Sequence, residues 1–465
     1  MRKISKISLV AAVAVAGFST ANAQPLEEAI KNVDVSGSVV YRYDNFHNAE
    51  KTGSTGAVTS NRQNTDVNRY KIGLNLSSKV NDYVKFNSRF IVGSQADGGF
   101  ASLNAGKETN GGNAAAGIPN QNTRGADGQA DVSLSNAYFG FTAIPNTVVN
   151  IGKQGLTTPY TVAVDINGNE QTGTGILALS TFGPVTGGLG YFNNTNLNRS
   201  TEVNSTLGFN TTALGAGTGP VANPGVINGG QDIYVATIQG DLDFVKLEAW
   251  YLGHQENFTT YTLAATSNID IAENAKIGLE ARYVNLKFKQ DAANDLYNAS
   301  RTITGSGPST LDAERDNDMF RLAVDGKFSI VNARLAYTKT GKDGGLTALD
   351  QDAKNTSLGW AITSNGIADA DYYQAAVGVD ILDNLNFTLN YGSLKAKEIE
   401  ATKTVATDMG GIKLEEVYGQ LTYKMSKNLS TYLRYGTFTA KENQAGNSDK
   451  FEDQTRGRIQ VAYTF

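Results

Sequence analysis

The chain has 465 residues, with 50 Gly, two His, no Cys and a net charge of −5 at pH 7. The missing Cys excludes a disulfide framework, a thiolate metal site and a Cys nucleophile, and two His leave little for a His-built metal or catalytic centre. The negative charge argues against a general nucleic-acid binder, and Gly, at about 11%, stands above the usual share near 7%.

Residues 1–23 read as a secretory signal peptide. Arg2, Lys3 and Lys6 form a basic start, Leu9 to Phe18 an apolar run, and Ala21-Asn22-Ala23 a small-x-small cleavage site. The apolar run is too short to span a bilayer as a helix. Its removal takes away three positive charges and makes the exported chain, 24–465, more negative. No Cys is available for a lipid anchor.

From residue 33 the dominant signal is alternation of period two. Val33, Val35, Val39, Tyr41 and Tyr43 alternate with Asp34, Ser36, Ser38 and Arg42. Tyr70, Ile72, Leu74 and Leu76 alternate with Arg69, Lys71, Gly73 and Asn75. Val84, Phe86, Phe90 and Val92 alternate with Lys85, Asn87 and Arg89. The pattern returns at 245–251, 277–283, 320–328, 333–337, 373–381, 387–391, 417–423 and 429–435, and ends on Ile459, Val461, Tyr463 and Phe465.

The connections alternate too. Short turns such as Ile144-Pro145-Asn146-Thr147 and Asp383-Asn384 follow long polar stretches at 44–66, 94–130, 194–230, 288–317, 340–370, 395–412 and 440–455. No run of 18 apolar residues follows the signal peptide, so membrane helices are not expected. The pattern predicts an all-β fold: a transmembrane antiparallel up-and-down β-barrel of about 18 strands, with short periplasmic turns and long extracellular loops. Tyr41, Tyr43, Tyr83, Tyr138, Tyr251, Tyr283, Tyr337, Tyr391, Tyr435 and Tyr463 fit an aromatic girdle at the bilayer interface. The terminal strand, closing on Tyr463 and Phe465, resembles the signature by which bacterial outer-membrane barrels are recognised by the barrel assembly machinery.

Pro25-Leu26-Glu27-Glu28-Ala29-Ile30-Lys31, then Val33-Asp34-Val35-Ser36-Gly37 leading into Tyr41-Arg42-Tyr43, resemble the Campylobacter-type major outer membrane proteins. Ile151-Gly152-Lys153-Gln154, Gly173-Thr174-Gly175, Lys413-Leu414-Glu415 and the last strand follow in family order. The resemblance implies a general porin of the Gram-negative outer membrane, with an eighteen-stranded barrel, assembled as a homotrimer and passing small hydrophilic solutes.

Alternation also orients the charges. With Tyr41 and Tyr43 outward, Arg42 points into the lumen, and parity sends Arg69, Lys71, Lys85 and Arg89 the same way. Arg434, Arg456 and Arg458 extend this basic wall once the last strand pairs with the first. A charge facing lipid costs roughly 2–4 kcal/mol at the midplane, which favours the inward assignment. In porins the third loop folds into the barrel. Here that loop, about 156–172, carries Asp165 and Glu170, expected across the pore from the basic wall.

The expected function is a passive diffusion channel with weak cation preference, not an enzyme. A substrate-selective anion or small-molecule channel and a surface adhesin are the alternatives. No resident cofactor is expected, though Asp165 and Glu170 offer oxygen ligands of the kind Ca²⁺ prefers. His47 and His254 fall in expected loops or strand ends and in no catalytic motif.

Overall fold

A strand with one apolar and one polar face buries nothing alone, and in lipid only a closed sheet leaves no backbone edge unpaired. The computed structural model describes residues 33–48, 51–52, 58–60, 64–93, 99–103, 131–197, 230–303, 312–397, 411–444 and 447–465. The signal segment 1–23 and the motif 25–31 lie outside the described residues.

Eighteen strands close into one antiparallel barrel. They are β1 (Val33–Asn48), β2 (Asn64–Asn81), β3 (Val84–Gly93), β4 (Asp131–Phe141), β5 (Thr147–Gly155) and β6 (Thr172–Phe182). Then come β7 (Val185–Thr195), β8 (Ile233–Asp241), β9 (Lys246–His254), β10 (Phe258–Ala272), β11 (Ala275–Phe288) and β12 (Asp316–Phe328). The wall is completed by β13 (Val331–Thr340), β14 (Ala370–Leu382), β15 (Leu385–Ala396), β16 (Gly411–Lys424), β17 (Leu429–Gln444) and β18 (Asn447–Thr464). A short strand, Ala101–Leu103, adds to β2 beyond the end of β3.

The seam is β1 against β18, with Tyr41 opposite Val461, Arg42 opposite Gln460 and Tyr43 opposite Ile459. Phe465 finishes it: Gly37 donates to the Phe465 carbonyl at 2.9 Å, and the Phe465 amide returns a bond at 3.1 Å. Gly37 is needed there, because a Cβ would collide with the Gly73 carbonyl and the Phe465 ring. The Phe465 ring stays exposed on the outer face, stacked on Tyr463.

Parity holds along most strands. Val39, Tyr41, Tyr251, Leu335, Tyr391 and Tyr435 are exposed on the outer face. Tyr138 departs from the expected girdle. A bulge in the β3–β4 pairing after Arg89 shifts the phase, so Phe139 packs beside Phe86 outside while Tyr138 bonds Asn150 inside. The pairing of β17 with β18 also corrects the expected loop 440–455, since both strands run on to Gln444 and Asn447. Strand β10 carries the weak Thr/Ala alternation Phe258-Thr-Thr-Tyr-Thr-Leu-Ala-Ala-Thr, which hydrophobic periodicity alone passes over.

Two connections turn inward. L3 (156–171) joins β5 to β6, and L7 (341–369) joins β13 to β14. With helix α1 (Gln290–Ile303), they pack on the β6–β12 side through a core that includes Leu156, Tyr160, Phe192, Leu286, Leu346 and Leu349. One side of the lumen is therefore filled like the interior of a soluble domain. The open space lies toward β13–β18 and β1.

Candidate pore constriction

L3 is a strapped hairpin. Val164 bridges Glu170, and the turn between them is closed by Asp165, whose carboxylate accepts from the Asn169 amide and side chain at 2.7 Å each. Gly168 sits at φ 81°, a left-handed conformation that suits Gly, and a Cβ there would press on Phe100 and Lys71.

Three basic residues hold this hairpin against the wall. Glu170 accepts from Lys71 Nζ at 2.6 Å, from Arg89 Nη2 at 2.9 Å and Nε at 3.0 Å, and from Ser135 Oγ at 2.7 Å. Lys71 also bonds the Gly168 carbonyl. Arg42 donates to the Ile166 carbonyl and to Gln460 at 2.8 Å each, and covers the Phe100 ring. Burial pushes against the charged form of Glu170, but the Arg89 and Lys71 contacts outweigh it and hold the carboxyl below its ordinary range.

Two further charge centres lie on the wall. Asp44, fully buried, pairs with Arg69 on β2 and with Arg458 across the seam. Glu280 pairs with Arg321 at 2.6 Å and Arg282 at 2.9 Å, and stands 3.9 Å from Arg334. Arg321 also reaches the Lys354 and Thr356 carbonyls, tying L7 to β12.

The far end of L7 is held by Glu416 on β16, which accepts from the Trp360 amide at 3.0 Å and the Ala361 amide at 2.7 Å. The Trp360 ring thereby lies among Arg434, Arg456 and Arg458, with guanidinium carbons 5.2, 4.9 and 6.0 Å from its centroid.

L3 and L7 join directly. Ile166 N donates to Asp352 at 2.8 Å, Gln171 donates to Asp350 at 2.7 Å, and Leu349 N donates to the Tyr160 carbonyl at 2.7 Å. Burial, with the Asp352 and Asp165 carboxylates nearby, holds the Asp350 carboxyl well above its usual range. Ile166, Leu358 and Gly359 line two successive cavities. The outer one, about 320 Å³, is lined by Phe438, Gln454, Arg456 and Arg458. The inner one, about 460 Å³, is lined by Arg321, Arg334, Gln374, Asn390, Arg434 and Glu416. The narrowing is thus made by two loops pressed together, with an arginine-rich wall opposite.

The sequence profile of the Campylobacter major outer membrane proteins matches residues 1–465. The chain belongs to that family. It is an outer-membrane porin of the Gram-negative envelope, with its short turns on the periplasmic side. No curated protein shows significant sequence similarity to it. Its barrel is similar to those of OccAB1 from Acinetobacter baumannii (TM-score 0.63, 16% identity, 96% of this chain and 98% of that one) and OpdQ from Pseudomonas aeruginosa (TM-score 0.61, 15% identity, 94% and 99%). OccK8 from Pseudomonas aeruginosa is similar as well (TM-score 0.60, 16% identity, 93% and 98%). At these identities the likeness is one of fold.

The inward positions of Arg42, Arg69, Lys71, Arg89, Arg434, Arg456 and Arg458 follow parity. Lys85 is exposed at the turn end of β3, near the periplasmic rim. Asp165 and Glu170 do enter the lumen on L3, but neither faces the wall across a gap. Glu170 is docked on the wall, and Asp165 closes its own turn. Glu170 also does not fit a metal site, since its oxygens already take two cations and a hydroxyl. Among the described residues no three His, Cys, Asp or Glu are gathered to hold a metal ion. His254 ends β9 and is buried, stacked on Phe258.

The inserted L7 and its anchors Glu280 and Glu416 are absent from the sequence reading. The Glu280-Ala281-Arg282 alternation could have placed that pair inward. The apolar Leu346, Leu349, Leu358, Trp360, Ile362 and Ile367 were the hint that 340–370 is not a solvated loop.

Proposed function

We propose that this porin passes small hydrophilic solutes and ions by passive diffusion through the lane between the L3–L7 junction and the Arg434–Arg456–Arg458 wall, three copies per assembly, with weak cation preference. The observation that carries this reading is the pair of polar cavities meeting at Ile166 and Leu358-Gly359. No reaction is catalysed in this scheme. The trimer rests on the family resemblance.

Selectivity is a difference between two terms. The arginine wall draws anions, and Glu170, neutralised by Lys71 and Arg89, does little to oppose it. The cation bias then comes from the net negative chain, through acidic groups at the mouths. Mouth charges are screened over about 10 Å at 0.1 M salt and about 3 Å at 1 M. The reversal potential in planar bilayers is therefore expected to favour cations at low salt and to lose that preference at high salt. Arg456→Gln should shift the reversal potential toward cations at both. A cation preference that holds undiminished at 1 M salt would locate its source in the constriction and overturn this assignment. The arginine wall also favours the rival, an anion-selective channel; saturable block of chloride current by one organic anion would mark it.

The Asp350 carboxyl, buried beside Asp352 and Asp165, is neutralised in this proposal by a proton, with no resident cofactor. A carboxyl raised in the folded state favours folding at low pH, and the advantage declines as pH rises above its ordinary value. Asp350→Asn should therefore raise the apparent Tm at pH 8 in chelator, and the gap to wild type should close toward pH 4. A Tm gain from millimolar Ca²⁺ in wild type, absent from the variant, would instead assign the neutralising charge to a divalent cation.

Phe465 serves recognition by the assembly machinery in this reading. Phe465→Ala should lower outer-membrane abundance while assembled channels conduct normally. Unchanged abundance removes that role.

A further inference from the structure

Inside the barrel, on the side away from the arginine wall, the stem of L3 roofs a cavity of about 390 Å³ against β6–β9. Pro184, Asp241 and Lys246 place its opening toward the periplasmic end. Lumenal positions are normally polar, since water fills the channel. Here an apolar floor of Leu156, Leu177, Leu179, Phe192, Val235 and Trp250 is rimmed by Thr157, Thr158, Thr186, Gln239 and the charged residues below. The neighbouring strand β7 supplies Gly188 and Gly190, where a Cβ would crowd the Leu179 and Leu177 side chains. The pocket is thus walled by leucines that the glycines leave room for.

Its charged groups, two lysines and two carboxylates, are formally balanced, but one carboxylate is only half satisfied. Lys246 is paired with Asp241 at 2.8 Å. Glu248 meets the exposed Lys354 at 3.4 Å, and its Oε2 is buried without a hydrogen-bond partner among the described residues. The Trp250 indole nitrogen is likewise buried without a partner among them. A buried carboxylate oxygen lacking a donor is costly; an ammonium supplies that donor and can rest on the indole ring face, while the indole N–H calls for an acceptor that an ammonium does not offer.

We propose that this cavity is a binding site for a small organic cation with an apolar body, of arylalkylamine type. The volume sits near the small end of the roughly 300–1,000 Å³ range of ligand pockets and suits one ring with a short tail. Lys354 lines both this cavity and the inner chamber of the lane, so the occupant lies beside the solute path.

The chain has two Trp, at 250 and 360, so Trp360→Phe leaves Trp250 as the single indole reporter. Phenethylamine titrated into that variant in detergent should change Trp250 emission saturably. Phenethyl alcohol and ethylamine should each bind roughly tenfold more weakly or worse, as should phenethylamine after a further Glu248→Gln change, given that hydrogen bonds to charged groups contribute roughly 1.5–3 kcal/mol. Leu179→Arg should abolish the response, with folding checked by heat-modifiable migration. A non-saturating response, an equal response to ethylamine, or indifference to Glu248→Gln overturns the proposal. Binding of phenethyl alcohol as tight as that of phenethylamine would hand the pocket to a neutral apolar occupant and overturn the cation. No current is needed for this titration, so its failure leaves the porin reading untouched.

Discussion

Glu170→Ala should raise single-channel conductance, make the current noisy and lower the temperature at which the folded barrel is lost. The carboxylate compensates Lys71 and Arg89 while bonding Ser135, and its side chain is only 4% exposed. Removing one partner of a buried pair typically costs about 3–5 kcal/mol, because the remaining charges lose compensation. Here the loss falls on the strap that holds the L3 hairpin to β2 and β3. Glu170→Gln keeps the shape but not the charge, and should fall between. The effect also carries a pH sign. A carboxyl held below its ordinary value contributes stability above that value and loses it as pH falls through the folded one. The difference between wild type and Glu170→Ala should therefore shrink under acid conditions. Quiet channels of wild-type conductance from Glu170→Ala would show that L3 is positioned by its apolar stem alone.

Removal of the L7 lobe should widen the channel more than any single substitution. Its neck is already closed: Gly366 N donates to the Gly345 carbonyl at 2.9 Å. Residues 346–365 can thus be replaced by a short Gly-Ser link without moving β13 or β14. The excision takes away Trp360, the Asp350–Asp352 junction and the backbone partners of Arg321 and Glu416. The two cavities meeting at Leu358-Gly359 should merge, with conductance rising and solute size exclusion relaxing in liposome swelling. The hydrophobic interior loses Leu346 and Leu349, so a lower apparent Tm should accompany the wider pore. An unchanged conductance would return the constriction to L3 alone.

The barrel and its inward charges were legible because period two is a local property. Arg42 between Tyr41 and Tyr43 needs no distant information to be assigned to the lumen. Tyr138 shows the limit: one bulge reverses the phase, and nothing in Ser135-Asn136 announces it. The place of L3 was legible from the order of connections, but its docking was not. Parity cannot distinguish Glu170 resting on Lys71 from Glu170 facing it across water, since that depends on how far a hairpin reaches. L7 was missed for the same reason. Glu416 and Glu280 lie 56 and 41 positions from the partners they hold at Trp360 and Arg321, separations at which sequence pattern carries no signal.

The β1–β18 seam has a kinetic consequence. Arg42 and Gln460, bonded across it, are 418 positions apart. Contacts so distant form late, because the entropy of closing the intervening chain must be met before they stabilise anything. Until Phe465 reaches Gly37, the growing sheet has two bare rims, each able to template pairing with another chain. Synthesis and export deliver β18 after the seventeen strands that precede it in the chain. The hazard of aggregation is therefore concentrated in the interval before closure, and loss of even the final strand leaves a protein with two sticky borders rather than a slightly weaker channel.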